Sequence, residues 1–180
     1  LIELPQRIGV IGAGPIGCEL AQAFARFGSQ VFLIEAQHGL MPNEDRDAAA
    51  IVEQKMVRDG VKLLCCGKEL KFSKIDTGKR LTVDSHGQYY DITVDEILLG
   101  VGRTPNVQGL RLETVGVKHD SNGVMVNDRL QTTNPRIYAA GDICSKYKFT
   151  HAADAMAQIV IQNALFPHPF GLAYASADSL

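Results

Sequence analysis

The feature that most constrains the fold is a glycine-rich segment near the start of the chain, between two apolar runs. Residues 7–11 are mostly apolar and predict a buried strand, and residues 15–27 carry apolar side chains at helical spacing. The segment that follows the first run and overlaps the start of the second is Gly12-Ala13-Gly14-Pro15-Ile16-Gly17. Glycines at this Gly-x-Gly-x-x-Gly spacing permit a tight turn, close approach of a pyrophosphate and close helix–sheet packing. The segment therefore predicts a strand–loop–helix unit that binds a dinucleotide.

The start of the predicted helix adds a charge argument to the spacing argument. Pro15 suits the first helical turn, and Ile16 follows it at the point where backbone N–H groups have no intrahelical partner. These N–H groups and the helix dipole favour a phosphate. We therefore expect Gly12, Gly14, Pro15, Ile16 and Gly17 to contact the cofactor.

An acidic residue indicates which nucleotide binds. Glu35 directly follows the apolar run 31–34, which predicts the second strand. A carboxylate at this position accepts hydrogen bonds from both adenosine ribose hydroxyls and repels a 2′-phosphate. Residues 36–38 supply no arginine to hold such a phosphate. We therefore expect NAD(H) rather than NADP(H).

The rest of the chain predicts a mixed α/β organisation. A helix is expected at 47–58 and a third strand at 61–64, so the opening reads as alternating strands and helices of a parallel sheet. Alternating stretches at 69–75, 80–84 and 89–94 predict an antiparallel meander, with turns at Thr77-Gly78 and His86-Gly87. Buried strands at 97–101 and 137–140 and a helix at 152–165 complete the prediction. In the first helix the apolar residues at helical spacing are Ile16, Leu20, Ala23, Phe24 and Phe27. In the second, one face is expected to consist of Ala48, Ile51, Val52, Lys55 and Met56.

A second informative segment spans residues 133–142 and ends in Gly141-Asp142. An apolar run that ends in this pair places a carboxylate at the carboxyl edge of a sheet, where α/β proteins bind ligands. Gly141 permits close backbone approach, and Asp142 can accept hydrogen bonds from a chain of sugar-like hydroxyls. As residue types alone, the pair is only moderately specific.

Together with the glycine loop, this segment makes the chain resemble the flavin-dependent pyridine nucleotide-disulfide oxidoreductases, which include lipoamide dehydrogenase, glutathione reductase and mercuric reductase. The matching stretches are residues 12–35, 101–106, 133–142 and 149–152. The resemblance implies an α/β fold, with a Rossmann-like parallel sheet, an antiparallel β-meander insertion and the C-terminal half of an FAD-binding domain. It implies an NAD(H)-binding domain at 1–102, part of the FAD domain at 103–166, and a linker toward a dimerisation domain at 167–180.

The resemblance also implies roles for individual residues. Asp142 would bond the flavin ribityl chain, and Gly102, with its neighbour Gly100, would let the nicotinamide or pyrophosphate lie against the backbone. Glu19 stands where the family places a glutamate near the nicotinamide, although a solvated helix glutamate is an equal alternative. Arg103 would steer phosphates or pair with a nearby carboxylate. A helix N-terminus formed by Thr150, His151 and Ala152 would face the isoalloxazine ring, where it favours negative charge.

The function implied is transfer of hydride from NADH to flavin and then to a disulfide or similar acceptor. The sequence has no Cys-x-x-x-x-Cys pair, so we expect a fragment that contains no catalytic residue of its own and does not retain FAD. The longer protein would be a homodimer. Two alternatives remain: an NADH oxidase or a ferredoxin- or nitrite-reductase-type flavoprotein without a redox disulfide, and a non-catalytic NADH-binding module. His151 and His168 are expected to be solvated.

Composition excludes several other classes of partner. With 18 basic and 20 acidic residues and a net charge of -2, the chain has no basic stripe for nucleic acid. No apolar run approaches the roughly 20 residues that cross a bilayer. The four cysteines have neither Cys-x-x-Cys nor zinc-like spacing, so reduced thiols, no metal site and a cytoplasmic location are expected. They are Cys18, Cys65, Cys66 and Cys144.

Overall fold

The computed structural model of this chain describes residues 2–145, 147–166 and 175. The chain divides into two compact units, Leu1–Gly102 and Arg103–Leu180. Across the described residues, no helix has the length and apolar character needed to cross a membrane. The linker predicted at 167–180 lies outside the described residues, apart from residue 175.

The first unit begins with alternating strands and helices and continues as consecutive strands. In chain order these are β1 (Arg7–Ile11), α1 (Pro15–Arg26), β2 (Gln30–Ile34), α2 (Arg46–Arg58), β3 (Val61–Leu64), β4 (Lys68–Ile75), β5 (Gly78–Ser85), β6 (Gln88–Val94) and β7 (Glu96–Leu99). Four strands form a parallel sheet in the order β3-β2-β1-β7, and β4, β5 and β6 form an antiparallel sheet. The predicted α/β fold, with a parallel sheet and an antiparallel meander, is confirmed.

The parallel sheet is covered on both faces because side chains of β1 and β2 alternate in direction. One set packs with the two helices in a buried cluster that includes Ile8, Val10, Val31, Leu33, Cys18, Ala21 and Met56. The other set packs with the meander in a cluster of Ile11, Phe32, Ile34, Leu64, Leu81, Val83, Ile92 and Val94. The unit therefore has a helical layer on one face of the sheet and a β layer on the other.

The turn between β5 and β6 has the geometry that joins twisted strands in two residues. Ser85 pairs with Gln88, so His86 and Gly87 form the turn, with φ of 54° and 78°. Positive φ at both central residues is the type I′ arrangement, which matches the twist of the flanking strands. The predicted turn at this position is confirmed, with the imidazole of His86 at its tip.

Helix α1 does not pack by the face that its apolar periodicity predicted. Its buried residues are Gly17, Cys18 and Ala21, whereas Ile16 is 45% exposed and Phe27 71% exposed. The cause is the contact of Gly17 with the loop before the helix, which draws the helix so close to the sheet that only small residues fit beneath it. Phe24 packs at the edge of the core.

Helix α2 also differs from its predicted face. Ala49 and Met56 are its buried residues and Val52 packs at the edge, but Ile51 is 70% exposed. The helix begins at Arg46 because the side chain of Asp45 caps it, accepting hydrogen bonds from two first-turn backbone N–H groups.

The second unit is built from short elements and one long helix. It contains the two-stranded hairpin β8 (His119–Asp120) and β9 (Gly123–Val124), 3-10 turns at Leu112–Val115 and Gly141–Ile143, and α3 (Thr150–Leu165). The strand predicted at 137–140 is wrong: this stretch makes one isolated bridge, Gln131 to Tyr138, and its residues are half-buried. A strand needs a continuous ladder on at least one side, and the described residues of this unit supply none there.

Candidate functional site

Two of the three loop glycines are required by the protein's own packing. Gly12 has a φ of +97°, and a Cβ there would lie 2.6 Å from the carbonyl oxygen of Gly100. A Cβ on Gly17 would lie 1.9 Å from the carbonyl oxygen of Gly12. The ends of β1 and β7 and the start of α1 therefore meet without side chains between them. In the order β3-β2-β1-β7, the strands β2 and β3 lie on one side of β1 and β7 lies on the other. Open α/β sheets bind ligands at the point where the strand order changes sides in this way.

Gly14 is different, because protein packing does not explain it. A Cβ on Gly14 would meet no atom of the described residues within 4 Å, and its φ of −71° is open to any amino acid. The residue is the N-cap of α1, so the space beside it faces the N–H groups of the first helical turn. The missing side chain leaves room for a group that is not part of this chain.

The N-terminus of α1 is also electrostatically open to an anion. No described side chain caps it and its first turn has no acidic residue, whereas α2 is capped by Asp45 and carries Asp47 in its first turn. A helix N-terminus with free N–H groups favours a negative charge, and a phosphate supplies one. Of these two helices, α1 is therefore the one suited to hold a phosphate.

The carboxylate of Glu35 lies against this loop. Its Oε2 accepts a hydrogen bond from the backbone N–H of Ala13 at 2.8 Å, and its Oε1 accepts one from Gln37 at 2.9 Å. A carboxylate has about four lone-pair directions, so two acceptor positions remain for an external donor. Glu35 is half-buried, which leaves these positions within reach of a ligand at the carboxyl end of β2.

The segment after Glu35 folds back onto the glycine loop, which sequence reasoning missed. The backbone N–H of Met41 donates to the carbonyl of Ala13 at 2.9 Å, and Leu40 is buried. The guanidinium of Arg46 donates to the carbonyls of Leu40 (2.9 Å) and Met41, so it braces this segment from the start of α2. The guanidinium of Arg46 is therefore already hydrogen-bonded to the backbone of this segment.

The thiol of Cys18 is held beneath the loop as a neutral donor. It donates to the carbonyl of Ala13 at 3.2 Å and is 2% exposed. Burial, with smaller contributions from the charges of Glu35 and Glu19, raises the pKa of the Cys18 thiol to about 12. Since the thiolate is the nucleophilic form, Cys18 is a packing residue at neutral pH.

The remaining residues proposed for the first unit lie at the open edge of the same region. Glu19 and Gly102 are exposed, and Gly102 has a φ of +106°. Leu99 and Val101 are also exposed, so the end of β7 presents apolar side chains on either side of Gly100. At this edge the backbone of Gly100 and Gly102 is therefore accessible beside the apolar side chains of Leu99 and Val101.

In the second unit, Asp142 has a partner within the chain. Its Oδ2 accepts a hydrogen bond from Arg103 at 2.9 Å, which also donates to the carbonyl of Lys148. The ammonium of Lys148 donates in return to the carbonyl of Arg103 at 2.8 Å. Of the two roles considered for Arg103, pairing with a carboxylate is the one seen here. Both side chains of the pair are about half exposed, so the carboxylate retains open acceptor positions.

The start of α3 lies beside this pair. Ala152 is buried while Thr150 and His151 are exposed, and the ring of His151 stacks on Phe149 at 5.4 Å. A Cβ on Gly141 would lie 3.2 Å from the Cβ of Ala153, so the Gly141–Ile143 turn packs on the first turn of the helix. Among the described residues, no side chain caps this N-terminus. His168 lies outside the described residues.

Comparison with known proteins identifies the family of this chain. The family model of pyridine nucleotide-disulphide oxidoreductases matches residues 1–158. The chain belongs to this family. The family consists of oxidoreductases, and its members bind FAD and NAD(H). The family, the enzyme class and the two cofactors predicted from the sequence are thereby confirmed.

The chain matches part of each of several longer relatives. Dihydrolipoyl dehydrogenase of Bacillus subtilis is 37% identical over 154 residues, which cover 85% of this chain and 33% of the relative. The solved structure of the HOCl-induced flavoprotein disulfide reductase RclA of Escherichia coli matches with a TM-score of 0.82 and 31% identity, over 99% of this chain and 39% of that one. The water-forming NADH oxidase of Lactobacillus brevis, solved with NADH bound, matches with a TM-score of 0.76 and 30% identity, over 91% of this chain and 37% of that one. The chain thus spans between 33% and 39% of the length of these proteins.

Proposed function

We propose that the Leu1–Gly102 unit binds NADH, and that in the whole protein the Arg103–Leu180 unit contributes to an adjoining FAD site. The observation that carries the first part is the open space at Gly14 beside an uncapped helix N-terminus. The protein's own packing gives a reason for Gly12 and Gly17 but none for Gly14. A dinucleotide pyrophosphate gives that reason, because it needs backbone contact and favours the positive end of the helix.

The adenosine ribose is assigned to Glu35. Its two remaining acceptor positions match the two ribose hydroxyls of NADH, and the bonds from Ala13 and Gln37 hold the carboxylate in place. A 2′-phosphate at the same position would bring two negative groups together. Arg46 offers such a phosphate little, because it is engaged with backbone carbonyls. The proposal is therefore for NADH in preference to NADPH.

The nicotinamide is assigned to the open edge near Gly100 and Gly102, where no side chain stands between a ring and the backbone. Leu99 and Val101 supply apolar contacts there, and Glu19 of α1 is exposed for a polar contact. In this role the chain holds and orients the donor ring.

For the second unit, we propose that Asp142 contacts the ribityl hydroxyls and that the N-terminus of α3 faces the isoalloxazine ring. Arg103 donates a hydrogen bond to Asp142 and so holds the carboxylate in position, and the N–H groups at Thr150, His151 and Ala152 favour negative charge. When bound, FAD supplies the hydride-accepting chemistry and passes two electrons onward.

The electron acceptor defines two candidate functions for the whole protein. The leading candidate is reduction of a disulfide or similar acceptor, supported by the likeness to dihydrolipoyl dehydrogenase and the disulfide reductase. The second candidate is an NADH oxidase, supported by the likeness to the Lactobacillus brevis enzyme. Stopped-flow oxidation of NADH by the full-length protein separates them. Turnover with oxygen alone supports the oxidase, and turnover that requires a disulfide supports the reductase.

Calorimetric titration of the chain with NADH and with NADPH tests the cofactor proposal. We expect NADH to bind at least tenfold more tightly than NADPH. Because hydrogen bonds to a charged group contribute about 1.5–3 kcal/mol, Glu35→Ala should weaken NADH binding by about one to two orders of magnitude. The same substitution should leave the weak affinity for NADPH unchanged or raise it.

The matched control is Glu53→Ala on α2, which removes one carboxylate from the same unit and should leave both affinities unchanged. Equal affinity of the unmodified chain for the two nucleotides would contradict the role of Glu35. Absence of binding to either, in a folded chain, would contradict the assignment of the glycine loop.

A further inference from the structure

A group of metal-ligand side chains lies in the first unit and has no part in the proposed nucleotide contacts. It consists of His38, Cys66 and His86, whose ligand atoms all lie within 4.8 Å of one another. The Nδ1 of His38 is 3.4 Å from the Sγ of Cys66. A second thiol stands beside the group, since the Sγ of Cys65 is 3.1 Å from the Nε2 of His86.

Three chain segments distant in sequence are tied together to form this group. The N–H of Cys66, after β3, donates to the carbonyl of Gln37, after β2, at 2.9 Å. The hydroxyl of Ser85, at the end of β5, donates to the carbonyl of Cys65 at 2.5 Å. The side chains therefore converge because the fold holds their backbones together, and not because they are neighbours in sequence.

The backbone at two of the three residues supports a specific requirement for their side chains. Cys66 and His86 have φ of 55° and 54°, a region that non-glycine residues enter at a cost. His86 occupies a turn position where asparagine is strongly preferred. Neither residue is therefore explained by the preferences of the local backbone.

We propose that His38, Cys66 and His86 bind one thiophilic metal ion of the Zn²⁺ or Cu⁺ type, with Cys65 as the fourth ligand. Thiolate and imidazole are the ligands that these ions prefer, and no carboxylate belongs to the group. In a tetrahedral Zn²⁺ site, Zn–S near 2.3 Å and Zn–N near 2.05 Å place nitrogen and sulfur about 3.5 Å apart. The His38–Cys66 distance of 3.4 Å already agrees with this value.

The solvent exposure of the site allows an ion to enter and the ligands to adjust. His38 and His86 are exposed, and Cys65 and Cys66 are half-buried. The ligand atoms of His38, Cys66 and His86 lie within 4.8 Å of one another, so movements of about 1–1.5 Å by the exposed imidazoles bring these three to tetrahedral separations. The site stands whether or not the nucleotide proposal holds, because its ligands include none of the residues assigned to NADH.

The test is a calorimetric titration of the full chain, kept reduced, with Zn²⁺, and a second titration with Cu⁺ under anaerobic conditions. We expect one ion per chain, with Mg²⁺ giving no heat. His86→Asn and Cys66→Ser should each weaken binding by at least about 100-fold, because even outer-shell partners of a metal contribute 10–100-fold. Substitution of Co²⁺ for Zn²⁺ should give a thiolate charge-transfer band that is weakened in Cys66→Ser, where Cys65 supplies the one remaining thiolate, and lost when Cys65 is also replaced by Ser.

His86→Asn decides the question if Cys66→Ser does not fold, because Asn-Gly is a favoured type I′ turn and should preserve the hairpin. The matched controls are His119→Asn and Cys144→Ser in the other unit, which should leave affinity and stoichiometry unchanged. The proposal is overturned if the folded chain binds neither ion, or if His86→Asn binds as tightly as the unmodified chain. The ratio of the two affinities shows whether the site prefers Zn²⁺ or Cu⁺.

Discussion

At the scale of single residues, the glycines of the nucleotide loop differ in what excludes a side chain. At Gly17 the obstacle is the carbonyl of Gly12, 1.9 Å from the position of a Cβ. At Gly14 no described atom lies within 4 Å of that position. Packing within the chain thus accounts for Gly17, whereas the role of Gly14 is the phosphate contact that we propose. The two roles are separable by experiment.

Alanine substitutions at these two glycines should therefore have opposite signatures. Gly17→Ala should lower the free energy of unfolding by at least about 1–3 kcal/mol, because overpacking forces the helix away from the loop. Gly14→Ala should change stability by less than about 1 kcal/mol, the scale of an N-cap replacement, yet weaken NADH binding at least tenfold. Urea denaturation and NADH titration of both variants provide the two measurements. Normal NADH affinity in Gly14→Ala would show that the open space is not the phosphate site.

At the scale of elements, the meander is the β layer that buries one face of the parallel sheet. Leu81 of β5 is fully buried, and its Cδ1 lies 3.0 Å from the position of a Cβ on Gly9 in β1. Gly9 therefore lets the two sheets approach each other at this point. The contact joins a hairpin that is local in sequence to the strand that starts the nucleotide loop.

Truncation of this contact should destabilise the whole first unit. We expect Leu81→Ala to lower the free energy of unfolding by about 2–5 kcal/mol, because it removes buried methyl groups and leaves a cavity. Tyr89→Ala on β6 removes a larger side chain, but one that is 65% exposed, so it should cost less than about 1 kcal/mol. Urea denaturation measures both. Similar losses in the two variants would mean that the meander does not contribute to the core through Leu81.

Element type was predictable from the sequence to a greater degree than element packing. Alternation and apolar runs locate β1 to β7 to within two residues, because side-chain period reports strand and helix directly. The face of α1 was not predictable, because a backbone contact at Gly17 outweighs the apolar periodicity of Ile16 and Phe27. The strand predicted at 137–140 failed because an apolar run does not reveal whether a pairing partner lies beside it.

The candidate site likewise has one part that was predictable from the sequence and another that was not. Gly12, Gly14, Gly17 and Glu35 are close in sequence and linked by one strand–helix–strand unit, so spacing is sufficient to group them. The brace formed by Arg46 and the convergence of His38, Cys66 and His86 depend on how loops fold back. No local pattern carries that information, and spacing rules for metal ligands therefore miss such a group.

At the scale of the whole molecule, the two units differ in how complete their sites are within this chain. The loop, helix N-terminus and carboxylate proposed for NADH all belong to one unit. The groups proposed for FAD are an ion-paired, half-exposed Asp142 and an exposed helix N-terminus. Ligand sites bury about 70–90% of a ligand's surface, which these groups alone do not achieve.

The purified chain of 180 residues should accordingly carry no flavin. We expect no flavin absorbance after purification and no quenching of FAD fluorescence on titration, while NADH binding persists in the same sample. A yellow protein with stoichiometric FAD would overturn this expectation and would mean that the second unit holds the cofactor by itself.

The parallel strands β3 and β7 are connected by a meander where a helix would be the usual crossover, and this has an evolutionary consequence. The parallel strands obtain their hydrogen bonds from one another, so the meander is constrained mainly by its inward apolar side chains. We therefore expect its hairpin tips to tolerate substitutions that the close-packed glycines of the nucleotide loop do not. Because His86 sits at such a tip, a lineage can gain or lose the proposed metal ligand by exchanging one turn.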